Sequence, residues 1–415
     1  MRSLKEISVF EHQRLLIGEN GFKYSHLEAL LRLNEFHNGK YFEPIAKGLK
    51  FKQYVGVIQV DGLSIEIHPK ADKNDPDRKW KGVLLKMLQS CGKLKAQSAG
   101  PAHVNKQHLN LLEVYFEMFL GELEDLIRKG FVKKYRKRTA NQKALRGKLE
   151  FAGHLQRNLI HKERFYTTHE VYDPEHLLHQ ILLKALDIVD QFSMGSRLSD
   201  VCKRILFSFP EIERRSISVS KLESITLNRK TRAYENALQL AILIIKNHSP
   251  DISHGQERML SLLFDMNQLW EEYILKSLHR DTRGTGIKVN GQESKPFWRY
   301  NYLKPDIVIR KGGKTFIIDT KWKQPHNGTP SVSDLRQMYA YCRFWNADKA
   351  LLLYPGKHVE KSFNPYRTDD FFEVTESITR VNHQCKMGFV SVFKTESDEL
   401  DPEIGKRVLE LLEID

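Results

Sequence analysis

The chain has 415 residues, a mass of 48.5 kDa and a formal net charge of +14. This length exceeds one ordinary hydrophobic core and predicts two or three domains, and the basic balance favours a polyanionic partner. No apolar run approaches membrane-spanning length and the N-terminus lacks the apolar core of a signal peptide, so we expect a cytoplasmic protein without membrane contact. The four cysteines are far apart and form no CxxC pair, which predicts reduced thiols and no zinc site.

Residues 1–95 are predicted to form a separate β-rich module. Its elements are strands at 7–10, 54–60 and 63–67 and a helix at 25–36. Asp61-Gly62, between the second and third strands, is a strong hairpin-turn signal. This segment carries no catalytic pattern of residues, so we expect a small barrel or sheet that contacts a partner.

A helical segment is predicted over residues 96–250. The helices, marked by apolar residues at helical spacing, cover residues 107–129, 174–192 and 234–246. Asp173 is the predicted N-cap of the second helix, with Pro174 at its first position. His176 and His179 lie three apart on that helix, but no third ligand is near them in the sequence. We interpret them as surface or packing residues rather than as a metal pair.

The densest charge of the chain lies between these helices, over residues 128–164. This segment has thirteen Lys or Arg and two acids, a local charge of +11, with aromatic residues between the basic ones. Such a pattern favours contact with nucleic-acid phosphates over mere solubility, and these contacts weaken steeply with salt. Docking onto an acidic protein surface is the alternative that composition leaves open. The candidate contact residues are Lys133, Lys134, Arg136, Lys137, Arg138, Arg146 and Lys148.

The strongest catalytic pattern is a predicted hairpin over residues 303–323. Two apolar, β-rich runs flank Gly312-Gly313, a dipeptide typical of a two-residue turn. Asp319 and Lys321 share one face of the second strand because side chains alternate, and pairing across the turn brings Asp306 near Asp319. Two carboxylates and an ammonium at one sheet edge are what metal-dependent phosphodiester cleavage requires, since Mg²⁺ prefers hard oxygen ligands.

Helices are predicted on both sides of this hairpin. Upstream, residues 267–278 carry an apolar stripe and include Glu271. Downstream, residues 334–345 place Gln337 and Tyr341 on one helical face, and an apolar strand comes next. The order helix, strand, turn, strand, helix, strand favours catalysis over a solvated surface hairpin.

This arrangement resembles the PD-(D/E)xK nuclease motif, here Pro305-Asp306, twelve intervening residues and Asp319-Thr320-Lys321. Glu271 resembles the acidic helix residue that many of these nucleases add, and Gln337 with Tyr341 matches the QxxxY element of RecB-like members. The resemblance implies that Asp306, Asp319, the Thr320 carbonyl and Glu271 hold one or two Mg²⁺ ions, with Mn²⁺ as a substitute. Lys321 would then lie beside the attacking water, and Gln337 and Tyr341 would position the phosphate or the groups around the metal.

A second resemblance covers nearly the whole chain. The chain resembles the McrC family, which is the nuclease subunit of McrBC-type, 5-methylcytosine-directed restriction systems. Four segments carry this similarity: YVGVIQVDGLSIEIHP (54–69), ALRGKLEFAGHLQRN (144–158), LNRKTRAY (227–234) and MNQLWEEY (266–273). It implies that the chain cuts double-stranded DNA when bound to a hexameric AAA+ GTPase, McrB, whose GTP hydrolysis it stimulates. The chain has no GxxxxGK(S/T) phosphate loop, so nucleotide hydrolysis belongs to the partner.

The predicted fold is a multidomain α+β protein. It consists of the β-rich partner-contact module at 1–95, the helical and basic segment at 96–250, and an α/β core of the PD-(D/E)xK, restriction-endonuclease-like type at 251–415. Two other functions stay open on the residues alone: a stand-alone RecB-like DNA nuclease that cuts with Mg²⁺ alone, and a non-catalytic bridging and activating subunit. Self-dimerisation within the complex is also open.

Overall fold

The computed structural model describes most of the chain. The described residues are 5–60, 62–71, 80, 83–93, 111–249, 259–323, 325, 328–356, 362–366, 383–394, 397 and 399–414. The chain divides into two compact units. The first comprises Met1–Lys5, Gln59–Gly62 and His108–Leu262, and the second comprises Glu6–Ile58, Leu63–Gln107 and Leu263–Asp415. Most of the predicted N-terminal module thus belongs to the same unit as the predicted nuclease segment, and the three-part division of the chain by role stays a prediction.

Strands and helices are numbered in chain order. The strands are β1 (Lys5–Phe10), β2 (Arg14–Leu16), β3 (Phe42–Ile45), β4 (Gly48–Phe51), β5 (Tyr54–Val60), β6 (Leu63–His68), β7 (Lys134–Gln142), β8 (Lys148–Leu149), β9 (Phe165–Asp173), β10 (His248–Ser249), β11 (Met259–Asp265), β12 (Lys288–Gly291), β13 (Lys295–Trp298), β14 (Asn301–Leu303), β15 (Ile307–Lys311), β16 (Lys314–Thr320), β17 (Lys349–Pro355), β18 (Asn364–Pro365) and β19 (Gln384–Val390). The helices are α1 (Tyr24–Phe36), α2 (Val83–Ser90), α3 (Leu111–Lys129), α4 (Phe151–Asn158), α5 (Leu177–Phe192), α6 (Leu198–Ser208), α7 (Val219–Glu223), α8 (Glu235–Asn247), α9 (Met266–Asp281), α10 (Val332–Trp345) and α11 (Ile404–Leu411). Within the described part of the chain, every helix is too short or too polar to cross a membrane.

Helices α3, α5, α6 and α8 pack together in the first unit. Apolar residues recur every three or four positions along them, so that Phe119 and Leu123 of α3 and Leu186 of α5 are fully buried. Gly130, with a φ of 81°, follows the last residue of α3, as expected for a helix end. The three helices predicted at 107–129, 174–192 and 234–246 are confirmed over their described residues, except for the start of the second. Residues 107–110, at the predicted start of the first helix, lie outside the described part of the chain.

The start of α5 was predicted wrongly. Asp173 ends strand β9, where its carboxylate accepts hydrogen bonds from Arg136 Nε at 3.0 Å and Nη2 at 2.9 Å. Helix α5 begins only at Leu177, with His176 in extended conformation as its N-cap. The ladder between β7 and β9 and the Arg136 ion pair hold Asp173 in the sheet, so Asp173 does not cap the helix and Pro174 lies in the connection.

The interpretation of the two histidines as packing residues agrees with the structure. His179 is buried, with Nδ1 2.6 Å from the Pro174 carbonyl oxygen and Nε2 3.0 Å from the Tyr234 hydroxyl. Burial lowers the pKa of His179 to about 4, so the ring is neutral at neutral pH. His176 packs against it with ring centroids 4.0 Å apart.

The middle of the chain is also less helical than predicted. Strands β7, β9 and β8 form an antiparallel sheet with β9 at its centre, here called the basic sheet. Most of β7 is exposed on both faces, so the alternation of polar and apolar residues that marks a half-buried strand is absent. The helical assignment of residues 96–250 is therefore wrong over 134–173, where α4 is the one helix that the structure describes.

The second unit contains a six-stranded mixed sheet with the order β12-β15-β16-β17-β19-β18. Strands β12, β15 and β16 are antiparallel, whereas β16, β17 and β19 are parallel. Helix α10 connects β16 to β17, and its Met338 and Cys342 are buried with Ile317 and Leu352 of the sheet. The predicted hairpin, the helix on each side of it and the following strand are confirmed, while β12, β13 and β14 are additional to the prediction.

The N-terminal elements of the second unit follow their prediction. The strands predicted at 7–10, 54–60 and 63–67 correspond to β1, β5 and β6, which lie in the order β1-β6-β5, and the predicted helix corresponds to α1. Asp61 of the predicted turn lies outside the described residues. The four cysteines are buried and lie outside any disulfide in the structure, and their reduced state stays a prediction. At the level of mixed helices and sheets, the α+β class is confirmed.

Candidate functional site

The hairpin of β15 and β16, here called the buried hairpin, brings the predicted catalytic side chains together. Gly312 and Gly313 form its two-residue turn with φ of 56° and 79°, a backbone region that glycine adopts at little cost. Ile307 pairs with Ile318, so Asp306 and Asp319 flank this pair at the open end of the hairpin. The end opposite the turn therefore carries both carboxylates.

Asp306 is bonded to the last residue of β16. Its Oδ2 accepts hydrogen bonds from the backbone nitrogen of Thr320 at 2.7 Å and from the Thr320 hydroxyl at 2.8 Å. Thr320 thus contributes its amide and side chain to the cluster, while the role of its carbonyl as a metal ligand stays a prediction.

Asp319 is only 2% exposed because β16 is an interior strand between β15 and β17. Its Oδ2 lies 2.6 Å from Lys321 Nζ. This close ion pair places the Lys321 ammonium directly beside the buried Oδ2 atom. The backbone nitrogen of Lys321 donates to the Leu353 carbonyl at 2.9 Å, which attaches this end of the strand to β17.

The charges of the cluster shift one another's pKa. Burial, followed by the Asp306 carboxylate, raises the pKa of Asp319 to about 6, against the opposing effect of Lys321. Burial alone would lower the pKa of Lys321, but Asp319, Asp334 and Asp306 together raise it above its ordinary value. Asp334 lies 3.6 Å from the ammonium. Lys321 is therefore a cation at neutral pH.

Glu271, on α9, joins the same electrostatic cluster. Burial and then the Asp306 carboxylate raise its pKa to about 7, and Asp319 contributes in the same direction. Its Oε1 accepts a hydrogen bond from Gln292 Nε2 at 2.7 Å. The three predicted acidic residues thus affect one another, and each also has a partner within the protein.

Among the residues that the structure describes, no three or more His, Cys, Asp or Glu side chains already stand at metal-binding positions. The donor atoms of Asp306, Asp319 and Glu271 are nonetheless of the hard oxygen type that a divalent cation such as Mg²⁺ prefers. The three carboxylates belong to one electrostatic cluster, and Asp319 Oδ2 is buried beside the Lys321 ammonium. A cation among these carboxylates would relieve the repulsion that raises the pKa of Asp319 and Glu271.

Gln337 and Tyr341 form the predicted pair on α10. Gln337 Nε2 donates to the Tyr341 hydroxyl at 2.7 Å, and that hydroxyl donates to the Lys304 carbonyl at 3.1 Å. The pair therefore holds the backbone two residues before Asp306. Its predicted contact with a phosphate stays a prediction.

Residues from distant parts of the sequence contact Glu271, Asp306 and Trp322, the residue that follows Lys321. Gln292, at a φ of 51°, donates through its side chain to Glu271 and through its backbone nitrogen to the Asp306 carbonyl at 2.8 Å. Trp322 Nε1 donates to Glu11 Oε1 at 2.7 Å. No local pattern marks Gln292 or Glu11, whose partners are 21 and 311 residues away. Asp334 is the exception. It lies in the first turn of a predicted helix close to the motif, so its place near Lys321 could have been predicted from the sequence.

The basic sheet carries the predicted nucleic-acid contacts at its surface. The exposed ones are Lys133, Lys134, Lys137, Arg138, Arg146 and Lys148. Arg136 is half-buried and paired with Asp173, so its charge is already compensated. Burial and pairing therefore leave six of the seven candidates accessible to an anionic partner.

Comparison with known proteins identifies a family and several related structures, two of which are described below. A family model described as McrBC 5-methylcytosine restriction system component matches residues 49–355. No curated protein matches the chain.

The two structures come from Thermococcus gammatolerans. One is a refined half-complex from a tetradecameric assembly of McrB AAA+ hexamers with bound McrC; it has a TM-score of 0.66 and 19% identity and covers 98% of this chain and 100% of that chain. The other is a cryo-EM structure of the McrBC complex, with a TM-score of 0.50 and 18% identity, covering 82% of this chain and 99% of that chain. At these identities the similarity shows a shared fold.

Proposed function

The chain belongs to the family of McrBC 5-methylcytosine restriction system components, in line with its resemblance to McrC, and we propose that it is the DNA endonuclease subunit of a modification-dependent restriction complex. The observation that carries this proposal is the cluster of Asp306, Asp319 and Lys321 at the end of the buried hairpin, with Glu271 in its field. Such a cluster suits metal-dependent hydrolysis of a phosphodiester bond.

Asp306, Asp319, Glu271 and the Thr320 carbonyl are the residues that would hold one or two Mg²⁺ ions, with Mn²⁺ as a substitute. When bound, the metal would neutralise negative charge that develops on the phosphate. The burial of Asp319 and the raised pKa of both Asp319 and Glu271, which reflects burial and repulsion from the Asp306 carboxylate, support this assignment.

The chain's own residues supply orientation and charge. Lys321 stays protonated next to Asp319, so its ammonium can stabilise the anionic transition state beside the attacking water. Tyr341 and Gln337 hold the Lys304 carbonyl and thereby keep Asp306 at the open end of the hairpin.

The proposed partner is a hexameric AAA+ GTPase of the McrB type. The related archaeal structure contains McrB AAA+ hexamers with bound McrC, and its fold extends over nearly all of this chain. We infer that this chain stimulates GTP hydrolysis by such a hexamer and that the hexamer in turn activates DNA cleavage. The exposed charges of the basic sheet are available either for the DNA backbone or for an acidic surface of this partner.

The test uses the full chain together with its GTPase partner and Mg²⁺. We expect Asp306→Ala, Asp319→Ala and Lys321→Ala each to abolish cleavage of cytosine-methylated plasmid DNA, because each removes a group from the reacting cluster. Binding to the partner and stimulation of GTP hydrolysis should survive, since these substitutions leave the rest of the chain intact.

A matched control is Glu403→Gln, which changes an exposed acid of the same unit that pairs with Lys406. This variant should cut DNA at the wild-type rate. Wild-type cleavage by all three cluster variants would refute the catalytic assignment. Cleavage by the purified chain with Mg²⁺ and no GTPase would instead indicate a stand-alone nuclease.

A further inference from the structure

The hairpin of β13 and β14, here called the exposed hairpin, lies directly before Asp306 in the chain and presents large aromatic side chains to solvent. Tyr300 is 94% exposed, Tyr302 61% and Trp298 58%. Residues 295–305 contain three basic residues and no acidic one. A cluster of exposed aromatic side chains of this kind marks an interaction surface.

The tip of this hairpin is held in a strained backbone conformation. Trp298 pairs with Asn301, so Arg299 and Tyr300 form a two-residue turn, and Arg299 has a φ of 50°. Glycine adopts this region far more easily than a long side chain does. The Arg299 guanidinium lies over the Trp298 ring, with its central carbon 4.6 Å from the ring centroid. The tip thus has a stacked cation and ring in a turn whose backbone conformation costs more free energy than a turn with glycine would.

The root of the exposed hairpin is fixed against helix α10. Lys295 Nζ donates to the Phe344 carbonyl at 2.7 Å, and the Phe297 and Phe344 rings pack edge to face with centroids 5.5 Å apart. At the other end, Tyr341 donates to the Lys304 carbonyl, two residues before Asp306. A root held at both ends keeps the tip at a constant position relative to the acidic cluster.

The acid nearest in sequence to the root does not compensate Arg299, the cation of the tip. Glu293, the acid next to the start of β13, accepts from Arg310 at 2.6 and 2.7 Å and from Trp345 at 2.9 Å. The charge of this carboxylate is therefore already paired with Arg310. The surface combines flat rings with the Arg299 guanidinium, and Lys304 acts electrostatically on Glu271 at the edge of the acidic cluster. Rings and cations together are the chemistry that binds unstacked bases and the phosphates between them.

We propose that the exposed hairpin binds DNA next to the scissile phosphodiester by stacking Trp298 or Tyr300 on an unpaired base, an inference that rests on the proposed nuclease function. Ring faces accept any base, so this contact adds affinity for locally opened DNA without reading sequence. Arg299 and Lys304 contact the flanking phosphates. The acidic cluster begins two residues after Lys304, which places the opened base beside the cleaved strand.

The experiment measures binding of the full chain without divalent cations, so that no cleavage occurs. The probe is an oligonucleotide duplex with a short internal mismatch that contains a fluorescent adenine analogue at an unpaired position, compared with the same duplex fully paired. We expect the wild-type chain to prefer the mismatched duplex and to quench the analogue. The double variant Trp298→Ala, Tyr300→Ala should bind the mismatched duplex at least about fivefold more weakly and lose the quenching, because base–aromatic stacking is removed.

Two variants serve as controls. Tyr300→Phe keeps a ring for stacking, and Phe207→Ala removes an equally exposed aromatic, also at 94%, from the first unit. Both should behave as the wild type. Unchanged affinity and quenching in the double variant would overturn the proposal. So would a loss confined to self-association or to binding of the GTPase, which would assign the hairpin to a protein interface.

This readout is separate from catalysis. If the double variant stacks the analogue as the wild type does while the Asp306 and Asp319 variants no longer cut, only the hairpin proposal fails. If those acid variants still cut DNA, the proposed catalytic assignment fails, whatever the fluorescence shows.

Discussion

The exposed hairpin and the buried hairpin follow one another in the second unit, and both turn through residues with positive φ angles. The buried hairpin turns at two glycines, and the strands beyond its turn are buried in a six-stranded sheet. The exposed hairpin turns at Arg299 and Tyr300, and its tip is in solvent. A turn that only joins two strands takes the residue with the lowest backbone cost, whereas the turn at Arg299 keeps a strained backbone and a cation stacked on a ring. The comparison separates a turn that folding alone explains from a turn for which we propose a contact with DNA.

Tyr341 connects the two hairpins and gives the largest expected effect after loss of the cluster itself. In Tyr341→Phe the Lys304 carbonyl loses its hydrogen bond, so the exposed hairpin and Asp306 are no longer held together. We expect DNA cleavage to fall about 10- to 100-fold, as for other groups that orient metal ligands. Cleavage rates are measured beside thermal unfolding. Tyr339→Phe, on the same helix, should cut normally; a wild-type rate in Tyr341→Phe would show that the two hairpins act independently.

Glu11 tests whether the buried hairpin depends on the N-terminal residues beside it. Burial raises the pKa of Glu11 from 4.5 to about 7, against hydrogen bonds from the Trp322 indole and the Lys70 amide, and Asp265 adds to the rise. His12 Nε2 lies 3.7 Å from the carboxylate. The folded protein binds this proton more tightly than the unfolded chain does. The contribution of Glu11 is therefore complete below its ordinary pKa and lost as the pH rises through about 7.

In Glu11→Gln this pH dependence should disappear. The amide oxygen can still accept from Trp322, so the variant should exceed the wild type by on the order of 2 kcal/mol at pH values above about 7 and match it in acid. Denaturant unfolding at several pH values measures the difference. Glu403→Gln should leave the profile around pH 7 unchanged, because pairing with Lys406 lowers the pKa of that exposed carboxyl and keeps its titration in acid. An identical profile in Glu11→Gln would mean that Glu11 titrates as it does in the unfolded chain.

The turn of the buried hairpin gives an effect on stability alone. Gly313 has a φ of 79° and open space around its Cα, so Gly313→Ala adds backbone strain without a clash. We expect a loss of roughly 1–2 kcal/mol in the free energy of unfolding. Gly121→Ala, inside α3 and also in open space, should stabilise by about 0.5–1 kcal/mol. Equal signs for the two substitutions would contradict the role assigned to the left-handed turn.

A substitution in the turn of the exposed hairpin should change the free energy of unfolding in the direction opposite to that of Gly313→Ala. It is the smallest of the expected effects. Arg299→Gly relieves the positive φ, and we expect a gain of up to about 1 kcal/mol in the free energy of unfolding together with weaker DNA binding. Chemical denaturation and DNA titration of the same sample measure both. A loss of stability, or a gain without any loss of DNA binding, would remove the distinction between the two hairpins.

The sequence predicted the parts of the fold whose signals are local. Alternating or helical apolar spacing identified the buried hairpin, α9 and α10, and the Gly312-Gly313 turn followed from its backbone requirement. The basic sheet was missed because strands exposed on both faces carry no apolar period. The cap at Asp173 was wrong because Arg136, 37 residues away, holds that carboxylate in the sheet.

In the candidate site, too, residues with a local sequence signal could be predicted and residues placed by long-range pairing could not. Asp306, Asp319 and Lys321 follow from one motif and strand geometry, so their convergence could be predicted. Gln292 and the Glu11–Trp322 contact depend on pairings between distant segments, which no window of sequence contains. The strained tip at Arg299 has no turn signal at all, since Arg is an unfavourable residue for that conformation.

Calorimetric titration of Mn²⁺ or Mg²⁺ into the full chain tests the central claim most directly, because it measures the cation without requiring cleavage. Wild-type protein should bind the ion, and Asp319→Ala should lose that heat while its thermal unfolding remains cooperative. Glu403→Gln should titrate as the wild type. Equal binding by the wild type and Asp319→Ala, or no binding by either, would contradict a metal-dependent nuclease centre at the end of the buried hairpin.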